Sequence, residues 1–270
     1  MLGHLAARCL LALALGAGSA QSATLFLTDQ FGSDLFTFDT DTGTTTLVGN
    51  IGFGISGLAL APSGDLFGIT TGNAFISIDT SSGAGTVIGT STVSSFPEGL
   101  AFAPDGTLFA SGGEALFTID PLTGVATELG AIDLFDLDGL TVTQGPVTTA
   151  VGTFGAGTIL AADSGGLFAI DPGTLAVTLI GSPTNSVPQE ALTVLPDGTL
   201  FGADSILDAV FLIDLVTLVS TQVGPPTGLE LIGGLTGPVA PPGTVVPLPA
   251  GLPLALAGLL SLAWVGRRRG

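Results

Sequence analysis

A short unit repeated five times along this 270-residue chain predicts an all-β fold, a five-bladed β-propeller closed by pairing of its N- and C-terminal strands. First, Phe38-Asp39, Ile78-Asp79, Ile119-Asp120, Ile170-Asp171 and Ile213-Asp214 each end a short apolar stretch, at spacings of 40, 41, 51 and 43 residues. Second, each unit holds about four strand-like segments, and a period near 40 with four short strands is the mark of a propeller blade. Third, the first unit lacks an opening strand, whereas a spare one stands at the end of the repeat region. A six-bladed ring and an open β-solenoid compete with this reading.

The elements follow in order. Residues 1–23 read as a signal peptide, expected to be helical: Arg8 supplies the positive start, Cys9 to Ala17 is apolar, and small residues follow at Gly18, Ala20 and Ala23. Cys9 precedes the apolar stretch instead of following it, which argues against a lipid-modified cysteine. With the signal removed, the exported part has no cysteine, so its stability must come from its core.

The repeat domain is expected over residues 24–237. Its clearest unit runs Gly99 to Ala103, a Pro104-Asp105-Gly106 turn, Thr107 to Ala110, Ala115 to Ile119 and Val125 to Leu129, with the alternation and β-branched or aromatic content of strands. Opening strands begin at Gly57-Leu58, Gly99-Leu100, Gly139-Leu140 and Ala191-Leu192, and the spare one at Gly234-Leu235. The segment Ile232 to Thr236 is therefore expected to complete the blade begun by Thr24 to Val48, which would leave no open sheet edge at the junction. The 51-residue spacing reflects a Gly- and Thr-rich insertion at about 145–157, read as a long loop in the fourth unit. Residues 238–245 are Pro- and Gly-rich and read as an extended linker.

Residues 246–270 read as a sorting tail. Val246, Pro247, Leu248, Pro249 and Ala250 lead into an apolar run, and Ala250 to Gly266 is 17 residues, the short limit for a membrane-spanning helix. Arg267, Arg268 and Arg269 would stay on the cytoplasmic side, with the repeat domain outside. A single-span anchor has the same parts. This order of parts resembles the tail of PEP-CTERM proteins of the VPLPA variant. The resemblance implies recognition by an exosortase-type membrane peptidase, transit through the inner membrane, and delivery to the cell surface and its exopolysaccharide. Leu248 stands where the better-known motif has glutamate.

Charge restricts partners and chemistry. All 22 acidic residues lie between Asp29 and Glu230, and the four basic ones are Arg8 and the terminal arginines. The repeat domain would repel nucleic acid and favours cations or neutral partners. The lone histidine is His4, tyrosine and lysine are absent, and serine–histidine, cysteine–histidine and Schiff-base mechanisms have no residues to use. Carboxylates alone, or carboxylates holding calcium, are the chemistry that remains.

Asp39, Asp79, Asp120 and Asp171 precede turns whose amides they can cap, and Asp105-Gly106 and Asp197-Gly198 are hairpin turns. Glu98, Asp138 and Glu190 differ, standing just before the innermost strands of three successive blades, where a propeller brings residues to the mouth of its channel. Asp29, Asp163 and Asp204 end second strands, whose loops should open on that face. Converging carboxylates without a basic partner repel one another unless solvated or neutralised, so Glu98, Asp138 and Glu190 form a candidate calcium site. A wide, solvated acidic rim is the simpler explanation, since the sequence holds no EF-hand or RTX-like calcium loop.

The run Pro97 to Phe109, Pro-Glu-Gly-Leu-Ala-Phe-Ala-Pro-Asp-Gly-Thr-Leu-Phe, resembles the repeats of NHL and gluconolactonase-like propellers. Some of those bind calcium in the channel, although six blades are common there. The expectation is a non-catalytic surface or matrix protein presenting loops to exopolysaccharide, another protein or a cation. The alternatives are a calcium-dependent lactonase or phosphoesterase, and a coat component with no specific ligand.

Overall fold

The computed structural model describes residues 23–241, except 30, 32, 94–96, 133, 135, 136, 138, 165, 185–189 and 230. The signal segment up to residue 22, the sorting motif Val246 to Ala250, the arginines Arg267 to Arg269 and Asp138 lie outside the described residues. Among the described residues there are strands and turns, and no helix long and apolar enough to cross a membrane.

Five four-stranded antiparallel sheets form the ring. Blade 1 contains β1 (Thr24–Asp29), β2 (Asp34–Asp39) and β3 (Thr45–Asn50). Blade 2 runs β4 (Ile55–Leu60), β5 (Leu66–Thr70), β6 (Ala74–Ile78) and β7 (Gly85–Thr90). Blade 3 is β8 (Pro97–Phe102), β9 (Leu108–Gly112), β10 (Ala115–Ile119) and β11 (Ala126–Ala131). In blade 4, β12 (Gly139–Val142) pairs with β15 (Ile159–Asp163), followed by β16 (Gly166–Ile170) and β17 (Val177–Gly181). Between β12 and β15 lies a hairpin, β13 (Val147–Thr149) and β14 (Gly152–Phe154), so the insertion read as a loop carries its own short sheet. Blade 5 is β18 (Ala191–Val194), β19 (Leu200–Asp204), β20 (Ala209–Asp214) and β21 (Val219–Gln222).

The ring closes as the complementary ends predict. The last strand, β22 (Ile232–Thr236), pairs antiparallel with β1 and is the innermost strand of blade 1, with Leu27 opposite Leu235. Asp208 holds the segment that delivers it, accepting hydrogen bonds from the Thr227 hydroxyl, the Gly228 amide (3.0 Å) and the Leu229 amide (3.2 Å). Because β1 and β22 run antiparallel with Phe26 opposite Thr236, Thr24 and Thr236 lie toward one face of the ring. The mouth is on the other.

The core divides into five apolar clusters, one per seam between blades. The blade 1–2 seam, for example, buries Leu35 against Ile55, Leu58 and Ile76, and the blade 5–1 seam buries Phe201 and Val210 against Leu25 and Phe38. Burial on both sheet faces explains why inner and second strands read as nearly continuous apolar runs.

A second interlock runs around the rim. The outer strand of each blade, or the residues just after it, carries Thr-x-Val/Ile/Leu-Gly: Thr46 to Gly49, Thr86 to Gly89, Thr127 to Gly130, Thr178 to Gly181 and Thr221 to Gly224. In blades 1 to 4 the pairing register slips just before this glycine, a β-bulge. Each glycine meets the Asp turn of the next blade: Gly49 meets Ser82, Gly89 meets Thr123, Gly130 meets Leu175, Gly181 meets Leu218, and Gly224 returns to Gly43. At Gly49, Gly89 and Gly224 backbone meets backbone, whereas Gly130 and Gly181 lie under the side chains of Leu175 and Leu218; at each a Cβ would collide with what it faces.

Candidate functional site

The Asp turns behave as the sequence predicts. Asp39 Oδ1 accepts the Asp41 and Thr42 amides at 3.0 and 2.8 Å, Asp79 Oδ1 those of Ser81 and Ser82 at 2.9 Å each, and Asp214 Oδ1 those of Val216 and Thr217 at 2.8 and 2.9 Å. Asp120 and Asp171 bond their turns in the same way. At Asp39, Asp79 and Asp214 these bonds favour the ionised carboxylate. The Ser81 hydroxyl and the Ser82 and Ser81 amides lower Asp79 to about 2; Thr42 chiefly lowers Asp39, and the Thr217 amide chiefly lowers Asp214. Asp105 and Asp197 cap their hairpin turns through the Thr107 and Thr199 amides, both at 2.9 Å.

Glu98 lies in β8 and Glu190 directly precedes β18; both are half-buried. The ring brings them together, because both line the same small space at its centre. A further feature of this space is hidden in the strand-opening dipeptides. Leu58, Leu100, Leu140, Leu192 and Leu235, one per blade, line it and are each at most 4% exposed. Glycines let them approach: a Cβ at Gly57 would lie 3.2 Å from that of Leu100, one at Gly99 would lie 2.5 Å from that of Leu140, and one at Gly234 would lie 2.6 Å from that of Leu58. Among the described residues the space they line is about 10 Å³, room for one water at most. The centre is an apolar plug, and only its mouth is acidic.

Calcium needs six to eight oxygens. Glu98 and Glu190 supply part of such a set, and among the described residues no three carboxylates come together in a group that could hold a metal. Asp29, Asp163 and Asp204 end second strands as expected, and each also serves its own turn: Asp29 accepts the Phe31 amide, Asp163 the Gly166 amide, and Asp204 the Ile206 and Leu207 amides. These three acids thus cap turns as Asp39, Asp79 and Asp214 do.

On the opposite face a cleft of about 490 Å³ opens between blades 3 and 4, bordered by the Asp105 turn, the Asp171 turn and the return arm of the insertion at Ala156 to Thr158. Sequence reading missed it. Its walls come from three separate segments, and the length of the insertion was the one available signal.

No family model matches the chain, and no curated protein does. Solved structures do. A symmetrical protein from work on de novo evolutionary emergence and folding constraints aligns over 81% of this chain and 99% of its own, at 18% identity and TM-score 0.53. A chain of a nidogen/laminin complex aligns over the same shares, at 13% identity and TM-score 0.54. These likenesses establish the propeller fold alone. A gluconolactonase from Xanthomonas campestris aligns over 76% of this chain and 72% of its own at 16% identity, but with TM-score 0.49 it carries no weight for activity.

Proposed function

We propose that this chain is a non-catalytic propeller scaffold or binding module of the cell surface or extracellular matrix, exported by its signal and sorted through its Val246-Pro247-Leu248-Pro249-Ala250 tail. The observation that carries the reading is the centre of the ring. Where a channel could gather substrate and reactive groups, five leucines converge, three of them packed on glycines, and the space they line is about 10 Å³. The repeat domain also has no histidine, lysine, arginine, cysteine or tyrosine to move protons or stabilise an oxyanion.

The topology suits a tethered protein. Thr24 and Thr236 lie toward the same face, so both ends of the domain leave the ring on the side away from the acidic mouth. Partners on this reading are an exosortase-type peptidase during sorting and exopolysaccharide or surface proteins afterwards. Changing Arg267, Arg268 and Arg269 to alanine should disturb tail orientation and processing; unchanged topology and unchanged processing would count against sorting.

A calcium-dependent hydrolase is the second reading, favoured by one observation: Glu98 and Glu190 line one mouth. Calorimetric titration of the purified protein with calcium separates the two. Absence of binding supports the scaffold. Stoichiometric binding that disappears on changing Glu98, Asp138 and Glu190 to Gln, Asn and Gln, together with turnover of a lactone or phosphate ester, would replace it.

A further inference from the structure

We propose that the cleft between blades 3 and 4 is a binding site for a neutral saccharide unit; this rests on the binding-module reading and names its site and ligand class. The cleft is a product of the one place where the repeat is broken. At each seam the turns lie along this face, but only here does the insertion add a third wall, Ala156 to Thr158.

That wall is fixed. The buried Thr143 hydroxyl donates to the Gly155 carbonyl at 2.7 Å and accepts the Thr158 amide at 2.9 Å, while the Thr143 carbonyl accepts the Gly157 amide at 2.8 Å. Gln144 Nε2 reaches across the seam to the Phe102 carbonyl at 3.2 Å, and the Ala150 amide bonds Leu215 of blade 5 at 2.8 Å. The cleft is preformed, which lowers the cost of ordering it around a ligand.

Its lining specifies the ligand chemistry. The side-chain hydrogen bonds of Asp105 and Asp171 all fall on Oδ1, through the turn amides, which fixes each carboxylate and leaves its Oδ2 as the acceptor for a ligand at the cleft edge. Half-buried Pro104 and Pro172 supply apolar surface between them, backed by the buried Phe109. No basic side chain stands anywhere in the repeat domain, so anions are disfavoured and the ligand must bring its own donors. Paired aspartates recur around the ring and cannot single out this seam; its apolar lining and third wall can. A saccharide matches both, with hydroxyls for the carboxylates and a C–H face for the prolines, and 490 Å³ lies within the usual range of ligand sites.

The test is calorimetric titration of the full chain with the neutral hexasaccharides of glucose (β-1,4 and α-1,4) and mannose. Asp105→Asn with Asp171→Asn keeps the turn-capping chemistry and should weaken binding about tenfold. Ala156→Trp, at an exposed position, should abolish it with the melting temperature unchanged. Raising salt from about 0.05 M to about 0.5 M should leave affinity nearly constant, since no net charge is paired. Saccharide binding that survives both variants overturns this site and leaves the binding-module reading standing. No binding of any of the three by the native chain overturns the ligand class, and capture of a hexa-arginine peptide that is lost with salt and with the aspartate variant assigns the cleft to a cationic partner instead.

Discussion

Gly89→Ala isolates the rim interlock. Gly89 does not occupy the left-handed region, so on backbone grounds alanine is allowed there and would stabilise by about 0.4–1 kcal/mol through the unfolded chain. The neighbouring blade reverses that expectation. A Cβ on Gly89 would overlap the Thr123 carbonyl oxygen and lie 3.1 Å from its carbon, and both atoms belong to the backbone of the Asp120 turn. That turn is held by the Gly124 amide on the Asp120 carbonyl at 2.8 Å and the Leu122 amide on Asp120 Oδ1 at 2.8 Å, so it cannot step aside without losing bonds. Overpacking of a rigid contact costs about 1–3 kcal/mol. Net destabilisation of about 1–2 kcal/mol then lowers the melting temperature by roughly 2–8 °C in a domain of this size. Thermal unfolding followed by circular dichroism measures it, with Gly155→Ala as control, since a Cβ at Gly155 meets nothing within 4 Å. A Gly89→Ala protein as stable as the control would refute the interlock.

Three further outcomes are expected. Leu175 and Leu218 adopt left-handed backbone at φ 58 and 57° and reach over Gly130 and Gly181, so Leu218→Gly should be more stable than Leu218→Ala by about 1 kcal/mol, the reverse of the usual order; chemical denaturation compares them. Asp79 is lowered to about 2 when folded, so its contribution is fully present above the unfolded value near 3.8 and is lost as pH falls toward 2. Melting temperatures of native and Asp79→Asn proteins should therefore converge as pH falls from about 4 to about 2, and a constant gap between them would contradict this assignment. Gly234→Val drives a side chain into Leu58 beside the closure strand, so size-exclusion chromatography should show association through the opened blade 1; a monomer with native melting would argue against closure at β22.

Much of the fold was legible because a blade is a local object. The Ile-Asp or Phe-Asp strand ends, the Asp-Gly turns and the alternating runs are each specified by neighbours in sequence, and β8 to β11 fall within two residues of their expected positions, with β8 starting at Pro97 and not Gly99. Closure by Ile232–Thr236 was readable too, because a missing strand and a spare strand can be counted. The recurrent Thr-x-Val/Ile/Leu-Gly was equally visible as letters, but not its purpose: the atom each glycine faces belongs to a turn on the next blade.

The candidate site divides along the same line. Sequence alone determined an acidic domain without basic groups, the capping aspartates, and the placement of Glu98 and Glu190 at blade starts, since each is a matter of composition or of a few successive residues. Only the tertiary structure decided that Leu58, Leu100, Leu140, Leu192 and Leu235 plug the centre, because how far five inner strands approach depends on closing the ring over glycine. It likewise decided that the insertion, with no motif to mark it, becomes the wall of a cleft, since Asp105, Ala156 and Asp171 are distant in the chain and meet only where two blades pack.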